Sequence, residues 1–236
     1  MLVDLHAHSS GISPCCRIGG EEVIRRAKEV GLDGIVLTNH YQRSFVDPSD
    51  PEAFVRAYVA EYKKACAAAE KMDFRVFFGV EVTMDENPVV HLLVYGVEEE
   101  FLLANPMLFA CSQKELYTLV HQAGGALIQA HPFRNGATVL DPQYLDGIEI
   151  NCPPLYLRSY AKELQQIAAE KGLMLTCGGD YHADTIRPKC GVFLPDEIAT
   201  TVDLADFLRK EKAVTLCIQE PTKEETYLLL YQKAEG

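Results

Sequence analysis

Apolar runs of strand length alternate with helical patterns from one end of the chain to the other. Leu2–Leu5 and Gly34–Leu37 read as strands, and Gly20–Glu29 between them reads as a helix that stops near Gly31. Pro51–Lys71 carries apolar or small residues at Phe54, Ala57, Tyr58, Tyr62, Ala65 and Ala69, the spacing of one face of a long helix. Strands follow at Arg75–Val82 and Val89–Tyr95. A helix over Gln113–Gln122 then leads through Gly124 and Gly125 into a strand over Ala126–Ala130. Gly147–Ile150, Leu173–Cys177, Gly191–Leu194 and Val214–Ile218 complete the strands, and Tyr160–Glu170 and Leu204–Arg209 the helices. With no break in composition, no internal repeat and no linker, this alternation predicts one parallel α/β domain over residues 1–236.

Composition sharpens that expectation. A chain of 236 residues, 48% of them apolar, suits one large core of the α/β-barrel kind better than two ordinary domains. The net charge of −12, with no basic run, disfavours nucleic acid as a partner. No apolar stretch approaches the roughly twenty residues that span a bilayer, so no membrane association is expected. The amino end lacks a basic segment followed by an apolar one, and with no secretory signal the expected location is the cytoplasm. The eight cysteines are scattered, several within apolar strands, and read as buried thiols of a reducing compartment. None forms a CxxC pair, which argues against a four-thiolate zinc site.

The histidines carry the chemical signal. Six of the seven stand at or just beyond the carboxyl ends of predicted strands, or within Val89–Tyr95, and sites in α/β barrels are built at that end. His6 and His8 follow the first strand at the i, i+2 spacing that points two side chains to one face. His40 closes the second strand, Glu81 ends the third, His91 starts the next and His131 closes another. Asp180 and His182 repeat the same-face spacing behind Gly178 and Gly179. Such an imidazole and carboxylate set suits Zn²⁺, Mn²⁺ or Fe²⁺ and exceeds what one ion uses, so two or three divalent ions are expected. His121 sits inside a predicted helix and reads as structural. Glu149 points from a strand and reads as a group that orients ligands. Arg17, Arg134 and Arg187 lie in loops beside these motifs, with planar forks suited to a substrate phosphate.

The ordered succession Asp-Leu-His-Ala-His, Thr-Asn-His, Gly-Val-Glu-Val, a later His, Ala-His-Pro-Phe, Gly-Ile-Glu-Ile and Gly-Gly-Asp-Tyr-His resembles the polymerase and histidinol phosphatase (PHP) family, from residue 3 to about residue 195. The resemblance implies a distorted (β/α)7 barrel with a two- or three-metal centre that hydrolyses phosphate esters. It implies that His6, His8, Glu81 and Asp180 hold one ion, that Glu81 bridges to a second held by His91 and His131, and that His40 and His182 belong to a third. The sequence departs from the family at two places. Asn39 stands where the family usually has Asp, and the loop Ser9–Arg17 lacks the histidine of three-metal members. Cys15 or Cys16 either replaces that histidine or packs against the barrel.

The chain is thus expected to be a metal-dependent phosphoesterase acting on a small phosphorylated molecule. Its attacking group would be a metal-activated hydroxide, with Glu81, Asp180 and His182 as the catalytic set. No Gly-rich phosphate loop of the GxxxxGK[ST] or GxGxxG kind is present. The competing readings are a nuclease or phosphotyrosine phosphatase of the same family, and a metal-binding regulatory domain without turnover.

Overall fold

The structure, a computed structural model, describes residues 1–153, 156–182, 187–221, 223 and 225–234. Its first eight strands are β1 (Leu2–Ala7), β2 (Gly34–Leu37), β3 (His40–Tyr41), β4 (Arg75–Thr83), β5 (His91–Tyr95), β6 (Ala126–Gln129), β7 (Gly147–Asn151) and β8 (Met174–Gly178). Seven of them run side by side in the order β1-β2-β4-β5-β6-β7-β8, and the two-residue β3 pairs with β4. A bridge between Ala7 and Tyr181, just past β8, brings the last strand back to the first. The sheet is therefore a nearly closed, distorted seven-stranded barrel.

The expectation of a wholly parallel sheet is corrected. β1–β2, β2–β4, β6–β7 and β7–β8 are parallel, but β5 is antiparallel to both neighbours. Residues 84–90, which join β4 to β5, are too few for the helical crossover that a parallel return requires. Beyond the barrel, β9 (Gly191–Phe193), β10 (Ala213–Gln219) and β11 (Thr226–Gln232) add an antiparallel extension, with β9 pairing the first residues of β1. β11 is absent from the sequence expectation because it is an edge strand. Leu228 and Leu230 are exposed and only Tyr231 is buried, so no alternation marks it.

Among the described residues, six α-helices surround the sheet: α1 (Gly20–Glu29), α2 (Pro51–Glu70), α3 (Glu99–Ala104), α4 (Gln113–Gln122), α5 (Ala161–Lys171) and α6 (Thr201–Lys210). Their ends are set locally. Asp50 accepts from the Ala53 amide ahead of Pro51, Ser112 and Glu115 form a capping box on α4, and Gly172 closes α5 with φ of 65°. α3, at six residues, is too short to show a helical period, and the sequence does not reveal it. Among the described residues no helix is long and apolar enough to cross a membrane.

Two contacts fix the barrel interior below the site. The Tyr95 hydroxyl on β5 donates to Leu5 O on β1 (2.9 Å), a bond that spans the interior because the two strands are not neighbours. Across the seam, Gly178 on β8 stands so close to β1 that a Cβ there would lie 2.5 Å from the His6 Cβ and 2.3 Å from Glu149 Oε1. Gly178→Ala should therefore push β8 away from β1 and lower the unfolding free energy by about 1–3 kcal/mol. An unchanged urea midpoint would refute the tight seam.

Candidate metal centre

One end of the barrel collects the polar residues. His6 lies on β1 and His8 follows that strand, while Asp4, in register with Ile35 ahead of an irregularity in the β1–β2 pairing, is bound to the His6 amide. His40 opens β3 and pairs in register with Glu81 of β4. Because β5 runs antiparallel, its first residue, His91, pairs with Thr83 and so stands at the same end as Glu81. His131 comes just after β6, and Asp180 and His182 just after β8. His131 (φ 31°) and Asp180 (φ 44°) hold left-handed backbone that costs non-glycine residues of the order of 1–3 kcal/mol and recurs at functional sites. All eight residues of the sequence-derived metal set are brought together.

Glu81 is their centre. It is fully buried, and its two oxygens lie 3.3 Å from His6 Nε2, 3.6 Å from His8 Nε2, 2.5 Å from His40 Nδ1, 2.8 Å from His91 Nδ1 and 3.1 Å from His131 Nε2. Asp180 Oδ1 lies 2.9 Å from His8 Nε2 and 3.3 Å from His6 Nε2. The donor atoms of His6, His8, Glu81 and Asp180 thus fall within 4.8 Å of one another, as do those of His40, Glu81 and His91 and those of His8, His40 and His182.

Neighbouring groups set which face of each ring looks inward. His6 Nδ1–H donates to Glu149 Oε1 (2.9 Å), while Glu149 Oε2 accepts from the His131 amide (3.0 Å). His8 Nδ1–H points to Ser13 Oγ (3.3 Å), and His182 Nδ1–H donates to Asp180 O (2.8 Å). Each proton is committed outward, so the Nε2 lone pairs of His6 and His8 face carboxylate oxygens. Such a contact needs a proton or a metal cation between nitrogen and oxygen. His6 Nε2, His40 Nδ1, Glu81 Oε2 and His131 Nδ1 are buried with no hydrogen-bond partner, although close oxygens or nitrogens surround most of them. That donor set fits divalent ions.

Electrostatics tell the same story of crowded opposite charge. Burial opposes charge on His6, but Glu149, Asp180 and Glu81 outweigh it and raise its pKa well above the usual imidazole range. His8 moves the other way, because burial and the neighbouring His182 and His40 disfavour a second positive charge. Burial would raise Glu81 and Asp180, yet both are held well below the usual carboxylate range. His91, His40 and His6 act on Glu81, and Arg134 and His6 on Asp180.

The three arginines occupy different places. Arg134 ion-pairs with Asp180 and lies over the Tyr156 ring, 4.9 Å from its centroid, at the mouth of the site. Arg187 is buried beneath the site, with Nη2 2.5 Å from Asp4 Oδ2. Arg17 is exposed on the first loop, where its amide donates to His182 O (3.4 Å). The two loop cysteines also separate. Cys15 is exposed and hydrogen-bonds with His182 and His40, contacts that overcome partial burial and bring its thiol down to about 6. Cys16 is buried, donating to the carbonyls of His8 (3.4 Å) and Ile18 (3.5 Å). His121 stands apart on α4, with Nε2 2.9 Å from Asp146 and its ring against Tyr117.

Sequence reasoning missed Asp4 and Ser13. Asp4 accepts from the amides of His6 (3.0 Å) and Gly179 (2.9 Å), tying β1 to the Asp180 turn. Ser13 Oγ also accepts from the His40 amide (3.0 Å), so one hydroxyl serves two histidines, and no local pattern announces that.

With this geometry in view, the sequence profile of the PHP domain matches residues 4–171, well over half of the chain. The chain belongs to the PHP domain family. Three solved structures share its fold at low sequence identity. A "putative metal-dependent phosphoesterase" from Bifidobacterium adolescentis has 18% identity and a TM-score of 0.56, covering 87% of this chain and 95% of its own. PsfC from Pseudomonas syringae has 20% identity and a TM-score of 0.60, covering 86% and 87%. An amidohydrolase from Chromobacterium violaceum, solved with bound sulfate and no metal, has 17% identity and a TM-score of 0.60, covering 88% and 97%. None of the curated proteins matches the chain.

The departure of this PHP domain at Asn39 has a local cause. Asn39 Oδ1 accepts from the Ser9 amide (2.7 Å) and Ser13 Oγ (2.9 Å), and its Nδ2 donates to Ser9 Oγ (3.1 Å). Ser9 Oγ spends its own proton on the buried Glu61 Oε1 (2.9 Å), so it needs a donor from residue 39. The amide supplies one and a carboxylate does not. Asn39→Asp should cost about 1–3 kcal/mol by setting two buried acceptors against each other. Adding Glu61→Gln should recover part of that loss by freeing the Ser9 proton. Strictly additive denaturation midpoints in the double variant would disprove the linkage.

Proposed function

We propose that this PHP domain is a hydrolase that cleaves a phosphate ester on a small phosphorylated molecule with two or three divalent ions. The observation that carries the reading is His6 Nε2. It is buried without a hydrogen-bond partner, 3.3 Å from oxygens of both Glu81 and Asp180, and its Nδ1 is already bound to Glu149. A cation satisfies all three groups at once. His6, His8, Glu81 and Asp180 would hold one ion, Glu81, His91 and His131 a second, and His40 and His182 a third with Cys15 beside them. Bound there, Zn²⁺, Mn²⁺ or Fe²⁺ supply an activated water and positive charge at the phosphoryl group.

The chain's own residues supply the rest. Arg134 brings a guanidinium to the mouth of the site, where it would take phosphoryl oxygens in place of Asp180. Arg17 approaches from the first loop, and Arg187 acts from below through Asp4. His182 stands at the rim, with Nδ1 bound and Nε2 facing His40 Nε2 at 3.5 Å, so that nitrogen would hold the third ion or, with that ion absent, hand a proton to a leaving alkoxide. A cleft of about 310 Å³ opens beside His131, walled by Arg134, Arg158, Phe133, Tyr156 and Tyr160. That volume suits a small ligand. The net charge of −12 favours a small substrate over DNA or RNA, and a thiol-rich chain fits the cytoplasm.

The test is a panel of phosphomonoesters, diesters, nucleotides and single-stranded DNA after reconstitution with each metal. A small monoester should be cleaved fastest, and His8→Ala or Asp180→Ala should lose metal content and turnover together. Full metal content with normal turnover in either variant, or DNA degraded faster than any small ester, would overturn the proposal.

The third ion gives a separate expectation. Cys15→Ser should remove the most weakly held equivalent on dialysis against a chelator, whereas Cys16→Ser should leave metal content unchanged because its sulfur faces backbone carbonyls. The reverse pattern would exclude Cys15 from the site.

A further inference from the structure

Three cysteines converge on the outside of the barrel, away from the imidazole and carboxylate centre. On β8, Gly178 presents its Cα to His6 and Glu149, so the preceding residue, Cys177, projects from the opposite face. Its Sγ reaches outward to Cys217 O on β10 (3.4 Å). Cys152 follows β7, with its amide on Gly178 O (3.0 Å), and Cys190 immediately precedes β9. The Cys152 and Cys177 sulfurs are 3.6 Å apart, and all three sulfurs fall within 4.8 Å of one another. All three residues are buried. The absence of a CxxC pair concealed this group, since each thiol comes from a different element.

We infer that Cys152, Cys177 and Cys190 form a second metal site, for one thiophilic d¹⁰ ion, Zn²⁺ or Cu⁺. Three thiolates bound to one ion at about 2.3 Å stand about 4 Å apart, a separation compatible with sulfurs that lie 3.6 Å apart in one pair and within 4.8 Å in all. Sulfur-only donors select soft or borderline ions over Mg²⁺ or Mn²⁺. A site closed to solvent has no room for a substrate, so the role is structural. The ion would pin the β9–β10–β11 extension to β7 and β8. The thiols are already organised for this. The Cys177 and Cys190 thiols and the Gln219 backbone hydrogen-bond to Cys152, outweigh its burial and hold it down to about 5. Binding forms three metal–sulfur bonds, and each thiol that ligates gives up its proton to solvent.

The test uses the whole reduced protein with Cys15→Ser as background, loaded first with Mn²⁺ to fill the imidazole and carboxylate centre, and Cd²⁺ as the probe. A thiolate-to-cadmium absorption band should grow and saturate at one equivalent. Cys177→Ser and Cys190→Ser should each abolish it, while Cys111→Ser, at a distant cysteine, should not. If the cysteine variants fold poorly, ¹¹³Cd resonance of the background protein decides, with a strongly downfield, sulfur-rich signal expected. No band, a band unchanged by both substitutions, or a cadmium signal typical of nitrogen and oxygen ligands would overturn the inference.

Discussion

A carboxylate buried among five imidazoles is the constraint around which this barrel is built. Glu81 has no water to solvate it, and the histidines that surround it compete for its two oxygens. The Coulomb energy of such a group in a dry interior is large in either direction, so its neighbours must be held in place and their charge fixed. Glu149, Ser13 and the Asp180 carbonyl do this by taking the outward-facing ring protons. What remains in the middle is a set of lone pairs with too few protons among them. Positive charge, whether imidazole protons or divalent ions, is what holds that arrangement together.

The same constraint explains which parts of the site were legible in the sequence. His6 with His8 and Asp180 with His182 could be read because a strand repeats every two residues. Glu81 and His131 could be read because they end apolar runs. His91 is the informative case. It starts its strand rather than ending it, and a wholly parallel sheet would have put it at the wrong end of the barrel. The antiparallel direction of β5, forced by the short link over residues 84–90, brings it back. The eight residues thus meet at one end of a barrel whose strand directions the sequence pattern did not reveal. Asp4, Ser13 and the β11 edge strand left no usable pattern, because their roles rest on contacts made through space: a backbone amide across the seam, a hydroxyl shared by two rings, a strand with one buried side chain.

The first loop shows how an apparent defect can be a change of wiring. The loop lacks a histidine and is anchored by Asn39 instead of Asp, which on sequence alone weakens the case for a working centre. In the fold, Asn39 faces the loop rather than the histidine cluster. Its amide completes a chain of hydrogen bonds from Glu61 through Ser9 and Ser13 to His8 and the His40 amide. The substitution therefore goes with the buried Glu61 as its partner. Gly11 belongs to the same arrangement, since a Cβ there would lie 2.1 Å from the Glu61 carboxyl. Loss of charge at residue 39 leaves the orientation of His8 intact.

β8 then joins two kinds of chemistry through its two faces. The inward side at Gly178 lets Glu149 and His6 approach, and the outward side at Cys177 meets Cys152 and Cys190. A strand's period of two places these groups on opposite faces within a single residue step. The inner set mixes imidazole with carboxylate and accepts several divalent ions, whereas the outer set is sulfur alone. If both fill, differences in softness sort the ions between them. The backbone that carries Cys177 also sets the distance from Gly178 to His6, so an ion holding the three thiols would stiffen the wall against which His6 rests.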